Sequence, residues 1–124
     1  GYIGQLWKFL QINKAQIDDT IFIGDFNSNV IWDSWDRWWN HSDVVRILRS
    51  INIESAYHNY FEEEDGKETL KTFFLHRNEL KAYHIDHCFL PKALMKESTK
   101  VEVEKFGDWS GISDHVPIIV SMSE

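Results

Sequence analysis

The stretch Ile21-Phe22-Ile23-Gly24-Asp25-Phe26-Asn27-Ser28-Asn29 decides how the chain is read. Three apolar residues, two of them β-branched, run into a glycine, which suits a short buried strand whose last residue must turn sharply. Asp25 then emerges where the strand ends, with Asn27 two residues on. A carboxylate and an amide so placed can hold an attacking water and donate hydrogen bonds to phosphate oxygens. Gly, Asp and Asn are also the common turn formers, so the stretch taken alone reads first as a plain turn.

Working outward, Ile3, Leu6, Trp7, Leu10 and Ile17 fall at helical spacing with Lys8, Gln11 and Lys14 between them, which predicts an amphipathic helix over 3–16. Asp18-Asp19-Thr20 breaks it. Ser42 is a good N-cap for a second helix, Asp43 to Arg49, with an acid in the first turn and a base near the last. Strands are expected at about Thr72 to Leu75, Tyr83 to Leu90, Val101 to Glu104 and Pro117 to Ser121, with a small helix or turn near Lys92 to Met95. The order predicts an α/β or α+β architecture with helices on one face of a sheet.

Two further stretches carry chemistry. In Tyr83-His84-Ile85-Asp86-His87-Cys88-Phe89-Leu90, alternation puts His84, Asp86, Cys88 and Leu90 on one strand face and Tyr83, Ile85, His87 and Phe89 on the other. A carboxylate in mid-strand is costly to bury unless paired, so Asp86 asks for a partner, most usefully a histidine whose tautomer it fixes. The alternative is an edge strand with Asp86 in water. In Ile112-Ser113-Asp114-His115-Val116-Pro117, an Asp-His pair precedes an apolar strand. Asp114 is a hard oxygen ligand for Mg²⁺ or Mn²⁺, and His115 can act as a base or hydrogen-bond a scissile phosphate. A loop with a solvated acid and a capping histidine is the plainer reading.

Composition narrows the classes. The 124 residues carry 13 Lys and Arg against 20 Asp and Glu, a net charge of −7 with the six histidines neutral, so there is no broad basic footprint for nucleic acid. Aromatic residues make up 15% of the chain, too many for a disordered segment. A single cysteine, Cys88, forms no internal disulfide, which fits a reducing, cytosolic setting. No apolar run is long enough for a membrane span, and the start lacks a signal-peptide pattern and an initiator Met, as expected of a piece of a longer protein.

Together, Gly24-Asp25-Phe26-Asn27, Ile85-Asp86-His87-Cys88-Phe89 and Ser113-Asp114-His115-Val116-Pro117 occur in the order and rough spacing of the endonuclease/exonuclease/phosphatase superfamily, so the chain resembles DNase I-like and exonuclease III-like proteins. The Ser28 to Asp33 extension and Tyr83-His84 are similar to bacterial members of that group. The resemblance implies a metal-dependent phosphodiesterase or phosphatase site, acting on a phosphoester and, among those, nucleic acid. Asp25 would orient or deprotonate the attacking water and Asn27 would steady it. His115 would bind the phosphate or act as base, with Asp86 holding its imidazole, and Asp114 would help to ligate Mg²⁺ or Mn²⁺. The resemblance covers the C-terminal half of a four-layer αββα sandwich. The N-terminal half, which in the family brings an early Asn and the principal metal-binding Glu, has no counterpart here. His84 stands where an Arg is frequent and His87 where a Tyr is frequent. A half-sandwich leaves its inner sheet face uncovered, so a homodimer through that face, or a non-catalytic interaction module, is the competing expectation.

Other features are expected to be structural. Trp32, Trp35, Trp38 and Trp39 could stack on bases, but their spacing is also a helical stripe, and with Asp33 and Asp36 beside them packing is favoured. Glu62-Glu63-Glu64-Asp65, with Gly66 and Glu68, reads as a solvated loop and not a calcium loop. His84, His87 and Cys88 do not read as a zinc site, because the two histidines point to opposite faces of the expected strand. His41, His58 and His76 have no readable partner, although the family arrangement brings His58 near the cleft.

Overall fold

A computed structural model describes residues 1–122. In chain order the elements are α1 (Tyr2–Asn13), β1 (Phe22–Asp25), α2 (His41–Ser50), β2 (Ile53–Ser55), α3 (Ala56–Phe61), β3 (Phe73–Phe74), β4 (Ala82–Tyr83), β5 (Asp86–Pro91), β6 (Lys100–Val103), α4 (Phe106–Trp109) and β7 (Ile118–Ser121). The fold is mixed α+β, with a three-stranded antiparallel sheet in the order β1-β5-β2 and two hairpins, β3-β4 and β6-β7. Among the described residues no helix is long and apolar enough to cross a membrane.

Alternation along the central strand β5 divides the core in two. Phe89 points to one face, where it packs with Ile3 and Leu10 of α1, Val44 and Leu48 of α2, and Ile53 of β2. Cys88 and Leu90 point to the other, against Ala56 and Tyr57 of α3 and Val101 of β6. Helices α1 and α2 thus cover one side of the sheet, as the amphipathic spacing predicts, but α3 packs on the other, which corrects the expectation of helices on one face only.

The expectation of a buried β1 is corrected. Phe22, opposite Phe89 in register, reaches the helical core, but Ile21 and Ile23 are 42% and 65% exposed. An apolar run signals burial on both faces, and α1 and α2 cover only the face of Phe22. Ile23 shares the other face with Cys88.

A single strand over Tyr83 to Leu90 is corrected too. Pairing breaks at His84-Ile85, because the buried hydroxyl of Thr72 accepts the backbone N–H of both Ile85 and Asp86, at 3.0 and 3.2 Å. Alternation therefore fails across the break. The rings of His84 and His87 stand 5.3 Å apart instead of on opposite faces, both almost fully buried.

The N-terminus of α2 moves to Asn40, whose backbone N–H donates to the Asp43 carboxylate at 2.8 Å; Ser42 lies inside the helix. The Asn40 side chain faces backwards, accepting from Ser34 N and Arg37 Nε and donating to the carbonyls of both residues. This knot holds residues 33–40 as a non-helical loop, so the Trp residues form no stripe. Trp39 packs over Gly4 of α1 with the Arg37 guanidinium 4.7 Å from its ring centre, whereas Trp35 and Trp38 are 98% and 73% exposed. The short elements β2, α3 and α4 are additions to the expected set.

Candidate active site

Antiparallel pairing of β1 with β5 sets Asp25 directly opposite Asp86 at one end of the sheet. His115 arrives from the loop before β7. That loop is anchored by Val116 N–H donating to Thr72 O at 2.9 Å and Phe74 N–H donating to Asp114 O at 2.7 Å, and the His115 ring packs on Phe73. Thr72 therefore positions both Asp86 and the His115 loop.

The result is a compact cluster. His115 Nδ1 lies 2.8 Å from Asp86 Oδ2, while Nε2 lies 3.7 Å from Asp25 Oδ2 and 4.0 Å from Asp114 Oδ1. With Nδ1–H donating to Asp86, the lone pair of Nε2 faces the two more exposed carboxylates. Burial pushes the Asp86 carboxyl above its ordinary range, and the hydrogen bond from His115 only partly offsets this. Asn27 adopts a left-handed conformation, φ 48°, and its backbone N–H donates to Asp25 Oδ1 at 2.7 Å, closing a tight turn with the amide side chain exposed.

A groove of about 460 Å³ opens beside these groups, with Asp25, Asp86 and His115 at its polar end and Ile23, Cys88, Trp109 and Ile112 along its apolar wall. Burial pushes the Cys88 thiol up to about 11, leaving it a small hydrophobe and not a nucleophile. Ligand atoms of Asp25, Asp86 and His115 all lie within 4.8 Å of one another. Asp86 is engaged by His115, so Asp25 and Asp114 are the carboxylates left to meet a hard cation. Asp114 stands outside that tight group and lines a neighbouring cavity with His76 and Arg77.

Behind the site lies a buried polar layer that the sequence reading missed. Ser28 is held by His87, whose Nε2 is 2.9 Å from its carbonyl, and by His41, whose Nδ1 is 3.1 Å from its hydroxyl. Asn29 donates to Glu68 Oε1 at 3.0 Å and to His84 O at 2.8 Å. Glu68 is 4% exposed and not solvated as expected. Burial alone would raise its pKa, but hydrogen bonds from His58, Asn29 and Gly66 N hold its carboxyl well below the usual range. His58, which had no readable partner, contacts both Glu68 and Ser55, at 2.6 Å each. The strongest sequence signal for this layer is the number of histidines, since Glu68 follows a run of four acids none of which is fully buried.

No protein-family model matches the chain, and a search of curated proteins finds no matching relative.

Proposed function

We propose that the chain is the C-terminal half of a DNase I-like endonuclease/exonuclease/phosphatase domain, whose complete site hydrolyses phosphoesters with a divalent metal. The observation that carries this reading is the Asp86–His115 contact at 2.8 Å, with the outer imidazole nitrogen turned toward Asp25 and Asp114; Asp25 ends β1, Asp86 starts β5, and Asp114 and His115 share the loop before β7. Ile23, left bare at the β1 edge of the sheet face away from α1 and α2, supports the half-sandwich.

Asp86 fixes the Nδ1–H tautomer, so His115 Nε2 takes a proton from water or, once protonated, donates to a phosphate oxygen. Asp25, braced by the Asn27 backbone N–H, orients the attacking water from the opposite side of the imidazole. The Asn27 side chain, exposed at the turn, is free to contact the phosphate. Mg²⁺ or Mn²⁺, held by Asp25 and Asp114 and by a Glu from the N-terminal half, would neutralise charge on the phosphate.

The test is Mg²⁺-dependent hydrolysis of a simple phosphodiester by the longer polypeptide that includes the Glu-bearing half. His115→Ala and Asp25→Asn are each expected to lower the rate by about 10²–10⁴-fold. Rates within about tenfold of the parent for both variants would end the assignment.

A second reading, a self-associating interaction module, is favoured by Ile23 at 65% exposure and Ile112 at 73%, both lining the apolar groove. It predicts a dimer in sedimentation that Ile23→Glu converts to monomer; a monomeric parent chain rules it out.

A further inference from the structure

The acid-rich segment before Thr72 and His58 of α3 hold a second convergence of ligands, none of them lining the groove. Glu68 Oε2 lies 2.6 Å from His58 Nε2, and Asp65 Oδ1 lies 3.5 Å from the same nitrogen. One ligand atom from each of the three residues lies within 4.8 Å of the others. Among the described residues no Lys or Arg pairs with either carboxylate, since Lys71 donates instead to the Glu68 carbonyl at 2.8 Å. Two anionic oxygens thus converge on one imidazole nitrogen.

The surroundings fit a metal-binding histidine. His58 Nδ1 lies 2.6 Å from Ser55 Oγ, which can accept a proton on that nitrogen once a cation takes the place of the proton that Nε2 now donates to Glu68. Asn29 holds the other oxygen of Glu68 at 3.0 Å, and Gly66 N–H donates to Oε2 at 2.9 Å. Asp65 and His58 line a cavity of about 410 Å³, which leaves a side open to water. A separate observation points the same way: His41 is 1% exposed, its Nε2 has no partner, and the foremost charge acting on it is Asp65, followed by Asp33 and Glu68.

We propose that His58, Asp65 and Glu68 form a Zn²⁺ site separate from the Asp25–His115 cluster. One imidazole with two carboxylates and an open fourth position suits zinc, whereas Mg²⁺ and Ca²⁺ call for oxygen-only shells with more ligands. The metal would tie α3 to the acidic segment and, through Glu68 and Asn29, to the turn that carries Asp25 and Asn27. This site stands whether or not the phosphoester reading does.

Calorimetric titration of the metal-free chain with Zn²⁺ at pH 7, with Co²⁺ absorption as a probe of tetrahedral coordination, tests it. The expected result is one equivalent bound with a Kd of about 10 μM or tighter, not displaced by millimolar Mg²⁺. The Asp25→Asn/His115→Ala double variant should keep that binding, while His58→Gln and Asp65→Asn should weaken it at least ~10-fold. Asp65 is the safer substitution for folding, because its side chain is 25% exposed and carries no other ion pair among the described residues. Absence of stoichiometric binding, its loss in the double variant, or equal affinity in Asp65→Asn overturns the proposal.

Discussion

The chain holds two histidine–carboxylate pairs of nearly the same length: His115 with Asp86 at 2.8 Å, and His58 with Glu68 at 2.6 Å. Their surroundings separate them. The first stands at the mouth of a groove, with the outer imidazole nitrogen turned to two exposed carboxylates. The second is held on both sides, by Ser55 on the histidine and by Asn29 and Gly66 on the acid, with the Asp65 carboxylate 3.5 Å from the imidazole. Burial dominates at Asp86 and drives its carboxyl up, whereas hydrogen bonds overcome burial at Glu68 and drive its carboxyl down. The same two side chains therefore stand open to a groove in one place and are tied into the interior in the other, and the number of donors on the acid makes the difference.

The largest expected effect on stability separates the pairs directly. Glu68→Ala in metal-free protein removes an acceptor for His58, Asn29 and the Gly66 N–H at once, and should cost about 3–5 kcal/mol in urea unfolding. An intermediate effect comes from the buried histidines between the two pairs. Burial pushes His41 down to about 4, and lowers His84 and His87 as well. Unfolded imidazoles take up protons below about 6.5 while these stay neutral, so stability is full above that pH and falls as pH drops toward 4. Between pH 7.5 and 5, His41 alone should account for about 2 kcal/mol, and unfolding curves of His41→Gln should show a correspondingly flatter pH profile. Identical profiles would mean that the layer is not neutral. The smallest effect is at Asp86→Ala, expected below about 1 kcal/mol because an acid already raised by burial contributes little net stability as an anion. A loss there equal to that of Glu68→Ala would erase the distinction.

Legibility in the sequence followed the same division. Asp25, Asp86 and His115 were readable because each sits next to an apolar run that declares a strand, and a polar residue at such an end has few structural duties. The two helices were readable from spacing, although Asn40 displaced Ser42 as the cap because its side chain and backbone together serve both the preceding loop and the helix. Ile23 was misread because hydropathy records what a residue prefers and not whether another layer is present to cover it. The Trp residues were misread because their spacing of three is shared by a helix and by a loop held from one side. Glu68 and Thr72 were invisible, since each acts through backbone and side-chain partners far away in sequence, and neither stands out from its neighbours by type.

The register of β1 against β5 brings two acids face to face. It ends by setting Asp25 against Asp86, two carboxylates in directly opposed positions, where like charges weaken a strand pair. Holding that mismatch is a standing load on the sheet end, where the backbone pairing still runs one step further through the Phe26 N–H donating to the Ile85 carbonyl at 3.0 Å. The charge that loosens the end of the sheet is the same charge that would receive a proton or a cation, and a variant selected only for thermal stability would be expected to lose it first.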